Sequence, residues 1–443
     1  MKVIRLLQMS DIHWTRQLDS TDDYTDIREK MLEDLGYYCQ ATGNKFDKIL
    51  ICGDVAFSGS RDEYERANTF IADLCKKVNC KDDEVYTVPG NHDKNVNASS
   101  KTVREFLHLA FSHHDKDVDK WWEDILGEDF SFIKKLFLPF AEYNKFSNED
   151  HDNPEPFMVS ALDNKTLKYD KTPMFWHTEF DESLNGYKIN LYGVNSALIS
   201  DLGDYDTDEK RTGGHLLYLP KQAYHSAKIA DGVINILMCH HPLKFLRDSD
   251  DIAKDLDKRY ALQLYGHVHI ADSNMENNAV HIFSGSLNPG DINDKRYLPV
   301  YNIIELSINP VNKEQDVLTV KLCVRKYNGE NFNEDKEQSK EYRVILKKHD
   351  TWVKERQQEE TKQSSLPDGL TKRDVRHRFK DSPRAKDIIK SMYPEINCNV
   401  SAYMRNQVFL EKVRTDNRWL DLYNKLPQFG IRCPVPRRPL LFE

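Results

Sequence analysis

Five short apolar runs in this chain each stop at a turn built from Asp, His, Asn and Gly, and that repeated junction constrains the fold more than any other feature. Val3-Ile-Arg-Leu-Leu-Gln-Met runs into Ser10-Asp11-Ile12-His13, and Lys48-Ile-Leu-Ile-Cys into Gly53-Asp54-Val-Ala-Phe-Ser-Gly59. Glu84-Val-Tyr-Thr-Val-Pro runs into Gly90-Asn91-His92-Asp93. Later, Val233-Ile-Asn-Ile-Leu-Met-Cys meets His240-His241-Pro242, and Leu262-Gln-Leu-Tyr meets Gly266-His267-Val268-His269. Continuous apolar runs of this length, ended by turn residues, read as buried strands. Between the second and third lies a helix. Ser60 and Glu63 have capping-box spacing, and Tyr64, Ala67, Phe70, Ile71, Leu74, Cys75 and Val78 keep the 3.6-residue period of one buried face. Strands alternating with helices imply an α/β fold, and in open α/β sheets the carboxyl edge of the strands is where ligands bind.

Residues 96–185 break the rhythm with long amphipathic stretches and a polar loop, and read as a largely helical insertion over the site. Strand patterns resume from Tyr187 and continue to Glu341-Tyr-Arg-Val-Ile-Leu, with the last two read as antiparallel edge strands. This defines a catalytic body over 1–349. Residues 350–369 are charged and nearly free of apolar side chains, as a linker is. Over 370–443 basic and apolar residues alternate at roughly helical spacing, which predicts a small basic helical domain.

Composition excludes several classes. No run approaches the roughly 18 apolar residues of a membrane span, and the first apolar run is too short for a signal peptide before Asp11 intervenes. The expectation is a cytoplasmic protein with no membrane contact. The eight cysteines are scattered without paired short spacing, as buried thiols rather than a disulfide framework or zinc ribbon. The net charge of −9 is split: residues 351–443 carry 19 Lys and Arg against 12 Asp and Glu, leaving the body strongly acidic. An acidic body suits recruitment of metal cations better than a nucleic-acid groove. The basic tail suits a protein partner or a solvated face.

The five turns carry carboxylates, imidazoles and an amide oxygen. Donors of this mix, without thiolates, suit Zn, Fe or Mn. Side chains two apart on an extended segment share a side, so Asp11 with His13, and His267 with His269, are expected to converge. Asp54 is the best placed bridging carboxylate.

This run of motifs resembles the calcineurin-like metallophosphoesterase superfamily over roughly residues 1–290. The resemblance implies a four-layer αββα sandwich and two divalent or trivalent metal ions (Mn, Fe or Zn). It implies one ion on Asp11, His13, Asp54 and His269, and the second on Asp54, Asn91, His240 and His267. It further implies hydroxide attack from the metal bridge, with His92 as acid or charge stabiliser and Asp93 or another carboxylate orienting it. His241 is expected to line the pocket. The stretch Gly53 to Gly59 holds no Arg, Asp93 stands where Ser/Thr phosphatases have Glu, and Phe57 stands where purple acid phosphatases have Tyr. What remains is similar to class III cyclic-nucleotide phosphodiesterases, which implies a nucleotide-like phosphodiester substrate. The alternatives are a nuclease similar to the exonuclease subunit of double-strand-break repair, and a non-catalytic scaffold.

Overall fold

The computed structural model describes residues 2–14, 25–99, 136–147, 174–200, 216–288, 297–310, 315–347, 382–394 and 418–431, with scattered positions at 102–122 and 375–413. Two compact units divide the chain, residues 1–353 and 354–443. Much of the expected insertion and all of the expected linker lie outside the described residues.

The strands of the first unit are β1 (Val3–Met9), β2 (Lys48–Ile51), β3 (Val85–Thr87), β4 (Phe175–Glu179), β5 (Lys188–Val194), β6 (Val233–Cys239) and β7 (Leu262–Tyr265). They continue with β8 (Asp272–Glu276), β9 (Ala279–Phe283), β10 (Val300–Pro310), β11 (Gln315–Tyr327), β12 (Phe332–Glu334) and β13 (Lys340–Lys347). One sheet has the order β12-β11-β10-β1-β2-β3 with β13 also on β11, and the other β4-β5-β6-β7-β9-β8. The strands that end in polar turns are parallel within each sheet: β1, β2 and β3 in one, β6 and β7 in the other. Their carboxyl ends therefore emerge on one edge of each sheet.

Alternation along each strand makes the layers. In β1, Ile4 and Leu6 face the second sheet, where they meet Ile236 and Leu264. Leu7 and Met9 face the other way, onto Met31 and Leu35 of α1 (Thr25–Thr42) and Phe70 and Leu74 of α2 (Arg61–Val78). The second sheet repeats this: Ile236 and Met238 point inward, whereas Leu237 and Cys239 join a core containing Ile252 and Leu256 of the helix Ser249–Arg259. The order is helix, sheet, sheet, helix, as the sandwich requires. The Glu63 carboxylate closes the start of α2 by accepting the Ser60 N–H at 2.9 Å and the Ser58 hydroxyl at 2.8 Å. Between the sheets, Gln8 accepts from Asn302 Nδ2 at 3.0 Å and donates to the Tyr265 carbonyl at 3.4 Å, which satisfies a fully buried amide directly below the strand ends.

Two expectations are corrected here. β11 is not an edge strand, since it pairs with β10 on one side and with β12 and β13 on the other. The end of the segment read as helical contains β4, an edge strand that pairs antiparallel with β5. His177 on β4 stacks on Tyr192 at 5.5 Å, a packing role.

In the second unit, the helices Ala385–Met392 and Trp419–Lys425 enclose Phe379, Ile388, Ile389, Phe409 and Leu422. Its aromatic side chains Tyr393, Phe409 and Trp419 are buried in that small core. No helix among the described residues is long and apolar enough to cross a membrane.

Candidate metal centre

The turns after β1 and β2 are stitched together by backbone hydrogen bonds. The N–H groups of Asp11, Ile12, His13 and Trp14 donate in turn to the carbonyls of Gly53, Asp54, Asp54 and Val55 at 2.9–3.0 Å. Within these turns the backbone departs from the extended course expected. Asp11, His13, Asp54, His267 and His269 all have left-handed φ, between +51° and +71°. Residues in this region cost of order 1–3 kcal/mol each when other packing holds them there, and such residues gather at functional sites. Convergence of Asp11 with His13, and of His267 with His269, thus comes from paired left-handed turns and not from alternation along a strand. Gly90 lets two turns touch: a Cβ there would stand 2.1 Å from Asp54 Oδ1 and 2.7 Å from the Asp54 nitrogen.

All seven expected donors meet at the strand ends. His269 Nε2 stands 3.1 Å from Asp11 Oδ1 and 3.5 Å from His13 Nε2. His13 Nε2 is 3.8 Å from Asp11 Oδ1 and 3.9 Å from Asp54 Oδ2. On the other side of Asp54, His240 Nε2 is 3.4 Å from Oδ2 and 3.2 Å from Asn91 Oδ1. His267 joins through its ring, 5.1 Å from that of His240, and its N–H holds Asp11 Oδ2 at 3.1 Å. Asp54 borders both halves. Its Oδ1 accepts the His92 N–H at 2.8 Å, which leaves Oδ2 facing the imidazoles.

Burial and charge pull the imidazoles and carboxylates of the site in opposite directions. Burial works against a charged ring at His240, but the Asp54 carboxylate outweighs it and pushes the ring up to about 9. Burial likewise opposes the charge on His269, and Asp11 overcomes it and raises that ring. Burial brings His13 down to about 4, and burial with the neighbouring His240 brings His267 down to about 3. Burial would raise both carboxyls, yet the imidazoles hold Asp11 down to about 2 and Asp54 well below the usual carboxylate range. The carboxylates thus favour the protonated forms of His240 and His269, and the imidazoles favour the ionised forms of Asp11 and Asp54. Even so, His267 Nε2 is buried without a hydrogen bond. Carboxylate and imidazole donors in groups of three, each group within 4.8 Å, with the Asn91 amide oxygen 3.2 Å from His240 Nε2 and a buried ring nitrogen left unpaired, fit metal cations.

Backbone carbonyls orient two imidazoles. His240 Nδ1–H donates to the Cys52 carbonyl at 2.8 Å, which presents Nε2 to the site. His92 Nδ1–H donates to the Phe57 carbonyl at 2.8 Å. This corrects the role expected of Asp93. Its fully buried carboxylate accepts from the N–H groups of Val55, Ala56 and Gly90 and from the Tyr64 hydroxyl, at 2.9–3.2 Å, and so clamps two turns together and does not orient His92. His241 is also corrected. It is fully buried behind the donors, its ring 4.5 Å from that of His267; Ser196 Oγ bonds its Nδ1 at 2.8 Å and accepts its N–H at 3.1 Å. Three supports were not anticipated: Ser10 Oγ on the Cys52 carbonyl, Ser286 Oγ on the Asp11 carbonyl, and Lys94 Nζ on the carbonyls of Leu198 and Ser200. Single serines and one lysine beside a motif carry no periodic signal.

Comparison with known proteins places the chain. A family model for calcineurin-like phosphoesterases matches residues 4–271, more than half of the chain and a span that includes every donor named above. No curated protein matches in sequence. Among solved structures, a predicted phosphoesterase of Streptococcus pneumoniae is 12% identical, with 77% of this chain and 99% of that one covered and a TM-score of 0.29. GAP50 of Plasmodium is 12% identical over 80% and 94%, with a TM-score of 0.37. Vacuolar protein sorting 29 of Cryptosporidium parvum is 11% identical over 78% and 99%, with a TM-score of 0.30. The assignment rests on the family match and not on these three. The chain belongs to the calcineurin-like phosphoesterase family, which implies a dinuclear metal centre and metal-dependent hydrolysis of phosphate esters.

Proposed function

We propose that the chain hydrolyses phosphodiesters, with nucleotide-like esters as the substrate class, on a pair of cations shared by Asp54. The observation that carries this reading is the position of Asp54 Oδ2, 3.9 Å from His13 Nε2 and 3.4 Å from His240 Nε2, between two sets of donors. Asp11, His13, Asp54 and His269 would hold one ion, and Asp54, Asn91, His240 and His267 the other. Mn, Fe and Zn all suit these donors. A bound pair of cations supplies Lewis-acid charge that acidifies water and offsets the phosphoryl oxygens.

The protein's own groups do the rest. Asp11 and Asp54, held ionised, keep the donors anionic at neutral pH. The hydrogen bond from His92 to the Phe57 carbonyl leaves Nε2 as the free ring nitrogen, half-exposed beside His13 at a ring separation of 4.6 Å. From there His92 carries a proton to the leaving oxygen, a transfer that contributes about 10²-fold or more to turnover. Diesters are favoured over monoesters because the stretch Gly53 to Gly59 holds no Arg to bind a dianionic phosphoryl group. The acidic body, a cytoplasmic location and a protein partner on the basic C-terminal unit complete this reading.

The test is a screen of cyclic nucleotides, nucleotide monoesters, aryl diesters and DNA, with Mn, Fe and Zn supplied separately. Metal-dependent turnover of diesters supports the proposal. Turnover confined to monoesters, or salt-sensitive cleavage of DNA alone, overturns it.

A further inference from the structure

We propose that the exposed ring of Phe57 is a platform that reads the substrate's leaving group and favours a flat aromatic one, an aryl ring or a nucleobase. The inference rests on the hydrolase reading above. Phe57 is 51% exposed, and Ile270, next in the chain to His269, is 48% exposed; among the described residues the two are large apolar side chains left open to solvent beside donor residues. A lone exposed apolar side chain is ordinary on a protein surface. Phe57 differs because the metal centre dictates its position. Its N–H donates to the Trp14 carbonyl at 2.9 Å and its carbonyl accepts from His92 Nδ1 at 2.8 Å, so both of its backbone polar groups are engaged by the turn that builds the site.

Its ring lies 5.2 Å from the His92 ring, tilted by 35°, and 6.1 Å from that of His13, edge-on. One face therefore leans on the imidazole whose free nitrogen meets the leaving oxygen, and the remainder is open to water. A leaving group attached to that oxygen must pass alongside Phe57. A methyl or short polyol group covers little of the ring. An aryl ring or base covers a whole face, and because every base has a π-face the platform reads flatness and not hydrogen-bonding pattern. The benzyl side chain also has no hydroxyl with which to bind a cation, so at this position the chain presents a surface and not a ligand.

The expected preference is about tenfold, the scale of one aromatic stacking contact. Affinities of the full, Mn-loaded chain for phenylphosphonate and methylphosphonate, measured by calorimetry, test it. The native chain should bind phenylphosphonate about tenfold more tightly. Phe57→Ala should shrink that ratio to about twofold or less, and Phe57→Trp, which keeps an aromatic face without a hydroxyl, should keep it. Absence of a preference in the native chain, or an equal preference in Phe57→Ala, overturns the proposal. The readout is binding, so a chain that shows this dependence on Phe57 but hydrolyses no ester leaves the platform standing and sinks the hydrolase reading alone.

Discussion

Replacing Asp93 separates a structural carboxylate from a catalytic one. Asp93→Ala removes the acceptor for three buried N–H groups and the Tyr64 hydroxyl. Orphaning a buried donor costs about 1–3 kcal/mol, and four sharing one acceptor would add to roughly 4–12 kcal/mol before relaxation. An opposing effect reduces this. Burial, and then the Asp54 charge, push the Asp93 carboxyl up to about 6 from its ordinary 3.8. A carboxyl raised in the folded state contributes stability that is complete below 3.8 and is lost as pH rises through about 6. At neutral pH that loss is about 3 kcal/mol, at 1.36 kcal/mol per pH unit, and the alanine variant is spared it. The net expectation for the metal-free protein is a destabilisation of roughly 1–9 kcal/mol at pH 7, growing towards pH 4. Urea denaturation at both pH values measures it, with metal content and turnover followed in parallel. The expected variant is less stable, binds metal more weakly and loses activity in step. A variant with native stability and full metal content whose turnover falls 10²-fold or more would refute the clamp and make Asp93 a partner of His92.

Three further outcomes follow from the same geometry. His92→Ala should lower turnover by about 10²-fold or more with metal content unchanged by elemental analysis; loss of metal would make His92 a ligand. Gly90→Ala should weaken metal binding by about tenfold or more, because the new methyl must displace Asp54, an overpacking cost of about 1–3 kcal/mol; unchanged affinity would mean that Asp54 need not stay where it is. The third concerns pH. His240, raised from 6.5 to about 9 by Asp54, stabilises the metal-free protein fully below 6.5, and that contribution is lost as pH rises through about 9. Cations must displace its proton, so apparent metal affinity should climb by up to about tenfold per pH unit towards pH 9. Calorimetry in buffers of different ionisation enthalpy should record the proton release, and a pH-independent affinity would show that His240 is not a ligand.

The strand ends were legible because β1, β6 and β7 are mostly apolar runs, each with only one or two polar residues, that stop at clusters of Asp, His and Gly, and both their location and the residues beyond them follow from pattern alone. The donors were legible by type, since Asp, His and Asn at five such ends have no packing reason to recur. Their backbone was not. Left-handed φ at Asp11 and His13 depends on long-range stitching to Gly53 and Asp54, across 42 positions or thereabouts, which no local spacing encodes. The Asp93 and His241 roles were misread for a related reason: both are chosen by three-dimensional neighbours, Gly90 with Tyr64 in one case and Ser196 in the other. Phe57 was noticed for what it replaces, whereas its exposure beside His92 needed the fold. β4 went unread because Phe175-Trp-His-Thr-Glu is a short edge strand whose pattern is completed only by its partner β5.

The central claim is that seven side chains on five strand ends hold a pair of cations with Asp54 between them. Counting metal tests it most directly. The chain, stripped with a chelator and reloaded with Mn or Zn, should bind two ions per molecule by elemental analysis and calorimetry, and Asp54→Ala should retain one or fewer. A native chain that saturates at one ion, or an Asp54→Ala chain that still binds two with native affinity, contradicts the account.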